Sequence, residues 1–170
     1  AATAVDLLAS AQTLTFTTDG VQDSIAIAAT DTAATIAQSI TNNISGFTAK
    51  AITGARYTVS GTAGGGTITP TINGVSLGTV STATSAATHS GLFAAAINSN
   101  VALSKTLTAV DNGDGSVDIF DATGANIVFD DLTQATTAMT MQVQALDAAG
   151  VVSGSARTIT SAQGTSVMGD

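Results

Sequence analysis

Apolar and polar residues alternate through "TLTFTTDGV" (13–21), where Leu14 and Phe16 are set between threonines, the period of a half-buried strand. Asp19-Gly20 then supplies a tight hairpin turn, and "SIAIA" runs back. The period changes at "DTAATIAQSITNNISG": Ile36, Ile40 and Ile44 recur every four residues beside Ala33 and Ala37, one stripe of an amphipathic helix over 32–45. Asp31 is placed to cap its start and Gly46 to stop it. "FTAKAIT" and "RYTVS" predict two further strands, joined by a turn at Gly54-Ala55.

The order strand, strand, helix, strand, strand then begins again. "TITPTINGV" starts at residue 67, 54 residues after its counterpart, and "THSGLFAAAINSNV" carries Phe93, Ile97 and Val101 at helical spacing, which predicts a helix over 88–101. "LTAV" (107–110) echoes "FTAKAI", and "NGDGS" turns into "VDIFD". Two residues set this copy apart: Pro70 stands where Phe16 stands in the first, and Gly91 lies near the helix start. Proline gives no N–H to a ladder, so this strand is expected at an edge or broken there. In "AMTMQVQAL", Met139, Met141, Val143 and Ala145 share one face of a strand; "DAAG" turns, and "VVSGSARTIT" gives one or two closing strands.

The expected fold is α+β, mostly antiparallel sheet with two short helices, each packed on the sheet of its own copy. Residues 1–64 form the first unit, 65–134 the second, and 135–170 return toward the first.

Composition narrows the functions. Leu, Ile, Val and Phe fill 39 of 170 positions, above the roughly 20% below which chains stay unfolded, so a core is available. Twelve Asp and no Glu face only Lys50, Arg56, Lys105 and Arg157, for a net charge of −8. Isolated cations make no phosphate-binding face, which argues against nucleic acid and against an anionic membrane surface. With no cysteine there is neither a disulfide nor thiolate chemistry. The beginning "AATAVDLLAS" has no initiator Met and no signal pattern, which suggests a fragment from inside a longer chain.

Candidate chemistry is sparse. "DNGDGSVDIFD" (111–121) is acidic enough for a calcium loop, but Gly113 and Gly115 fall where ligand oxygens are needed, and Asn-Gly and Asp-Gly are hairpin signals; a structural turn is the reading. Asp130-Asp131 reads as the end of a strand, a solvated turn or a cap. His89, the single histidine, lies at a helix start without a local motif and reads as a polar helix end. "GTAGGGT" (61–67) lacks the lysine of a phosphate loop and reads as a linker. Asn43-Ile44-Ser45 fits the N-glycosylation pattern at a helix end, and the many Ser and Thr residues offer O-linked sites. No catalytic residue, cofactor site or metal site is assigned.

The doubled unit resembles the flagellin hook IN motif, found in the outer domains of bacterial flagellins and in the filament cap protein. Ile72-Asn73-Gly74 matches the motif's hairpin and Ala96-Ile97-Asn98 the end of its helix, with "LTAV" as the strand that follows. The first copy departs from it, with Thr18-Asp19-Gly20 and Ile40-Thr41-Asn42 at those places. The resemblance spans about two-thirds of the chain. It implies an extracellular structural protein: the solvent-facing part of a flagellar filament subunit, with other flagellin subunits as partners, no catalysis, and a monomeric state for the isolated fragment. A filament cap or hook-filament junction protein is the alternative within the motif. A secreted adhesin or carbohydrate-binding module is the alternative outside it, and the scarcity of aromatic residues counts against that.

Overall fold

The computed structural model describes residues 10–60, 66–82, 85–134, 140–159 and 165–167. Strands β1 (Gln12–Thr18) and β2 (Val21–Ile27) pair from Thr18↔Val21 to Gln12↔Ile27. Asp19 and Gly20 between them have φ of 51° and 81°, the two left-handed residues that a type I′ turn requires. Helix α1 (Ala33–Asn43) starts one residue later than Asp31 would cap it. Thr32 is the cap, its Oγ1 accepting the Thr35 N–H at 3.2 Å, while Asp31 Oδ2 takes the Ala28 N–H at 2.7 Å and closes the preceding turn. Gly46, with φ of 81°, carries the chain away from the helix end.

Strand β3 (Thr53–Ser60) corrects the two-strand expectation, because residues 47–52 form no strand and Gly54-Ala55 is not a turn. Both residues are buried within β3, where a Cβ on Gly54 would lie 2.8 Å from Leu146 Cβ and 3.2 Å from the Phe120 ring. Glycine is needed there because strands crowd in from both sides.

The second copy follows as β4 (Thr67–Ile72), β5 (Val75–Ser76), β6 (Val80–Ser81) and helix α2 (Ala86–Ser99), capped by Ser85 Oγ accepting from the Thr88 N–H at 3.1 Å. Asn73 and Gly74, with φ of 50° and 73°, repeat the I′ turn of the first copy. Val101 falls beyond α2 and is 79% exposed, so it does not extend the Phe93 and Ile97 stripe; a single turn at Leu103–Lys105 buries Leu103 instead. Then come β7 (Leu107–Asp111), β8 (Ser116–Asp121), β9 (Ile127–Gln134), β10 (Thr140–Leu146), β11 (Val152–Ile159) and β12 (Thr165–Val167). Asp130-Asp131 does not end a strand: β9 runs through both, with Asp131 opposite Thr71.

The fold is α+β, and every strand pairing among the described residues is antiparallel. The β1–β2 hairpin is a sheet by itself. A second sheet has the order β11-β10-β3-β8-β7, and a third has β12-β9-β4-β5 with β6 also on β4. Pro70 corrects the edge expectation. Its strand is internal, paired with β9 on one side, and the break falls in the neighbour on the other side, where β5 covers Thr71 and Ile72 while β6 covers Thr67 and Ile68. The Pro70 carbonyl accepts from the Leu77 N–H at 2.9 Å on that broken side, so the missing N–H faces a gap.

One core lies between the second and third sheets and α2, and the chain segments interleave in it. β3, at the centre of its sheet, is flanked by β8 of the second copy and β10 of the closing region. Tyr57, Phe93 and Phe129 stack at its middle, with ring centroids 4.3 Å apart for Tyr57–Phe93 and 6.4 Å for Tyr57–Phe129. Ile68, Ile72, Ile97, Ile119 and Met141 fill the rest. Helix α2 therefore packs on a sheet that both copies build, while α1 lies against β2. Ile25, Ile27, Ala37 and Ile44 are buried apart from that core. Met141 and Val143 are buried as the alternation of β10 requires; Met139 lies outside the described residues, as does most of the 61–67 linker.

Candidate functional site

Asn98, at the end of α2, holds the edge of the second sheet. Its Nδ2 donates to the Ala109 carbonyl at 2.8 Å and its Oδ1 accepts the Ala109 N–H at 2.9 Å, so one side-chain amide pairs with β7 as a neighbouring strand would. The first copy keeps the accepting half of this clamp, because the Thr41 hydroxyl donates to the Ala37 carbonyl of its own helix at 2.9 Å. Thr41, at the corresponding place in α1, accepts the Ala49 N–H at 3.0 Å and lies 3.4 Å from the Ala49 carbonyl. Asn73 makes a second clamp: its N–H donates to the Val128 carbonyl at 2.8 Å and its Oδ1 accepts the Val128 N–H at 2.7 Å, which ties the hairpin turn to β9.

His89 is not a polar helix end. It is fully buried, with Nδ1 2.8 Å from the Ser81 carbonyl and Nε2 3.0 Å from the Tyr57 hydroxyl. A carbonyl only accepts, so Nδ1 carries the proton and Tyr57 donates to Nε2, which joins α2, β6 and β3 in one line. Burial lowers the His89 pKa, opposed in part by the Ser81 contact, and burial raises that of Tyr57. Both groups are neutral at pH 7, and nothing in the arrangement leaves either open to a substrate.

Arg56 and the carboxylates of 111–121 are likewise committed to the fold. Arg56 and Asp118 are register partners on β3 and β8, and the guanidinium grips the carboxylate with two bonds, Nε to Oδ1 at 2.6 Å and Nη2 to Oδ2 at 2.8 Å. That bonding raises the Arg56 pKa. Along 111–121 each remaining carboxylate has a local partner: Asp111 accepts from Ser90 Oγ at 2.6 Å, Asp114 from the Ser116 N–H at 2.9 Å, and Asp121 from the Thr123 N–H at 2.7 Å. The Ser116 bonds lower the Asp114 pKa. Among the described residues no three His or Asp side chains come together as a metal group would need. Asn43 donates back to the Ser39 carbonyl at 2.9 Å, and the Ile44 that follows it is buried.

Of the motif residues, Ile72 and Ile97 meet in the main core, Asn73 and Asn98 clamp two different strands, and Gly74 completes its turn. Asp19, Gly20 and Ile40 hold the equivalent places in the first copy, Ile40 only half-buried. Sequence reasoning missed the Tyr57–His89 line and the Arg56–Asp118 pair. Both join residues far apart in the chain; a lone His in an apolar helix and a lone Arg in a strand were the only local signals. No helix among the described residues is long and apolar enough to cross a membrane. No protein-family model matches the chain, and no curated protein matches it.

Proposed function

We propose that this chain is a structural module, the solvent-facing part of a bacterial flagellar filament subunit, exported outside the cell and without catalysis. The observation that carries the reading is the clamp found twice. In each copy an I′ hairpin leads to a helix whose last turn hydrogen-bonds, through Asn98 or Thr41, to the alanine of a following Leu-Thr-Ala or Phe-Thr-Ala. The doubling extends the tripeptide resemblance to hydrogen bonds between side chain and backbone. Polar groups that could do chemistry are spent on the fold, which suits a part whose role is surface and bulk. Its partners are neighbouring copies along a filament.

The filament cap or the hook-filament junction remains the second reading, since the same unit serves there. An adhesin would expose an aromatic platform, and Tyr57 instead stacks inside the core. Immunogold electron microscopy of the source cells, with antibody raised against this chain, tests the proposal. Gold along the whole filament is expected; gold only at the tip or the hook junction moves the chain to the second reading; gold on the envelope beside bare filaments overturns both.

A further inference from the structure

Two Asn-Gly pairs occur in the chain, Asn73-Gly74 and Asn112-Gly113, and the fold holds them differently. Asn-Gly is the pair most open to self-modification, because glycine has no side chain to shield its backbone nitrogen from the amide of the residue before it. That nitrogen loses its proton and attacks the asparagine Cγ; a C–N bond closes a succinimide ring, the bond from Cγ to Nδ2 breaks, and the side-chain nitrogen leaves as ammonia. Water then opens the ring at either carbonyl. One opening gives aspartate, and the other gives isoaspartate, in which the main chain runs through the former side chain and is longer by one carbon. The sum is asparagine plus water to either acid plus ammonia, with no oxidant and no further reactant.

Both asparagines are exposed, and neither glycine has an atom within 4 Å of where a Cβ would stand. Access and crowding therefore do not separate the pairs. What separates them is how each asparagine is held. Asn73, in the left-handed region with φ of 50°, is fastened to β9 from both its backbone and its side chain: its N–H donates to the Val128 carbonyl at 2.8 Å, and its Oδ1 accepts the Val128 N–H at 2.7 Å. To bring its Cγ onto the Gly74 nitrogen the side chain must leave β9, and the Val128 N–H then loses its acceptor.

Asn112 lies in the link at 112–115 between β7 and β8, and its Nδ2 donates to Ser116 Oγ at 2.9 Å. That hydroxyl also donates to Asp114 Oδ1 at 2.6 Å, so it keeps a partner when the Asn112 side chain turns away. The Asn112 N–H bonds the Ser116 carbonyl at 3.0 Å, which anchors the backbone and leaves Cγ free to move. The Gly113 N–H donates to Asp111 Oδ1 at 3.1 Å, so the proton that must depart already points at a carboxylate.

We propose that Asn112 is a self-modification site of the folded chain, closing a succinimide with the Gly113 nitrogen, and that Val128 protects Asn73 from the same reaction. Aspartate at 112 removes the Nδ2 donor and sets a carboxylate between Asp111, which binds Ser90 of α2, and Asp114, which closes the link onto Ser116. Isoaspartate lengthens the link and pulls the Ser116 carbonyl out of register with the N–H of residue 112. Either product loosens the β7–β8 hairpin at the edge of the second sheet.

Trypsin cuts after Arg56, Lys105 and Arg157, so the two pairs fall in different peptides, 57–105 and 106–157. The folded chain is held in mildly alkaline buffer and digested briefly in mildly acidic buffer; the gain of about one mass unit per conversion is then located by fragmentation. Position 112 is expected to convert several-fold faster than position 73. In the chain unfolded by urea the two should convert at similar rates, which assigns the difference to the fold. Asn112→Gln, whose longer side chain closes its ring far more slowly, should lack the acidic form that accumulates in isoelectric focusing of the parent chain. Equal conversion of the two positions in the folded chain, faster conversion at 73, or conversion at neither while the unfolded chain reacts, overturns the proposal. An acidic form that persists in Asn112→Gln overturns it as well.

Discussion

Between the β1–β2 hairpin and the β4–β5 hairpin the turn is the same and the neighbours are not. Both turn on two left-handed residues, Asp19-Gly20 and Asn73-Gly74, and both lead to a helix that clamps the chain after it. Yet Ile68 and Ile72 are sealed in the main core while Leu14 and Thr18 remain in contact with solvent. The difference comes from β9 and from what lies under it, since alternation decides which face looks inward and only a further strand or sheet decides how completely that face is covered.

The sharpest way to break this comparison is to cut one aromatic from each helix-hairpin layer. Phe93→Ala, at the centre of the stack, should cost about 3–5 kcal/mol in urea unfolding, and Phe16→Ala, paired tilted with Phe47 near the surface, about 1 kcal/mol. Equal losses would mean that the two layers are equally buried in solution. Next comes the joint between them. A Cβ on Gly124 would lie 2.3 Å from Ala51 Cβ and 3.2 Å from the Ala34 N, and its φ is 73°, so Gly124→Ala should cost about 2–3 kcal/mol and loosen α1 before α2. Hydrogen exchange that speeds up equally in both helices would contradict that order.

The second copy places a histidine, His89, in the buried interior. Because the folded His89 holds its proton less tightly than the unfolded chain does, stability is full above about pH 6.5. Below that the unfolded state takes up the extra proton, so stability falls with falling pH, by at most about 1.4 kcal/mol per unit, until the folded pKa is passed. His89→Gln should flatten that part of the profile, and an unchanged slope would assign it to the aspartates instead. The clamps should then differ in proportion to their bonds: Asn98→Ala about 1–2 kcal/mol, Thr41→Ala about 0.5–1 kcal/mol. Smallest and most alike are the turns. Gly20→Ala and Gly74→Ala meet no atom within 4 Å, so each should cost about 1 kcal/mol from backbone conformation alone, and a large gap between them would count against equal turns.

Both hairpins, both helices and the closing strand β10 were legible in the sequence because each has a period and a punctuation of its own. What escaped was set by contacts across the chain. Gly54-Ala55 has the composition of a turn, and only the approach of Leu146 and Phe120 makes it the middle of a strand. Asp130-Asp131 looked like a strand end because charge usually marks solvent, yet β9 runs on through both, with Asp131 opposite Thr71 and the register to β4 shifting at Asp130. His89 carried no local sign that Tyr57, 32 residues away, would take it into the core. Of the candidate site, the Ile-Asn-Gly and Ala-Ile-Asn tripeptides could be read directly, while the reason for Asn98, two bonds to one residue of an edge strand, required the fold.

Tyr57 has an optical consequence. The chain contains one tyrosine and no tryptophan, and that tyrosine sits at the centre of the stack with its hydroxyl on His89. Near-ultraviolet absorbance, circular dichroism and intrinsic fluorescence at tyrosine wavelengths therefore come from a single buried ring. They follow the main core without any label, while the first helix and its hairpin, whose aromatic rings are Phe16 and Phe47, stay nearly silent in the same spectrum. A melting curve followed at those wavelengths and another followed by backbone dichroism would separate if the hairpin layer came apart first.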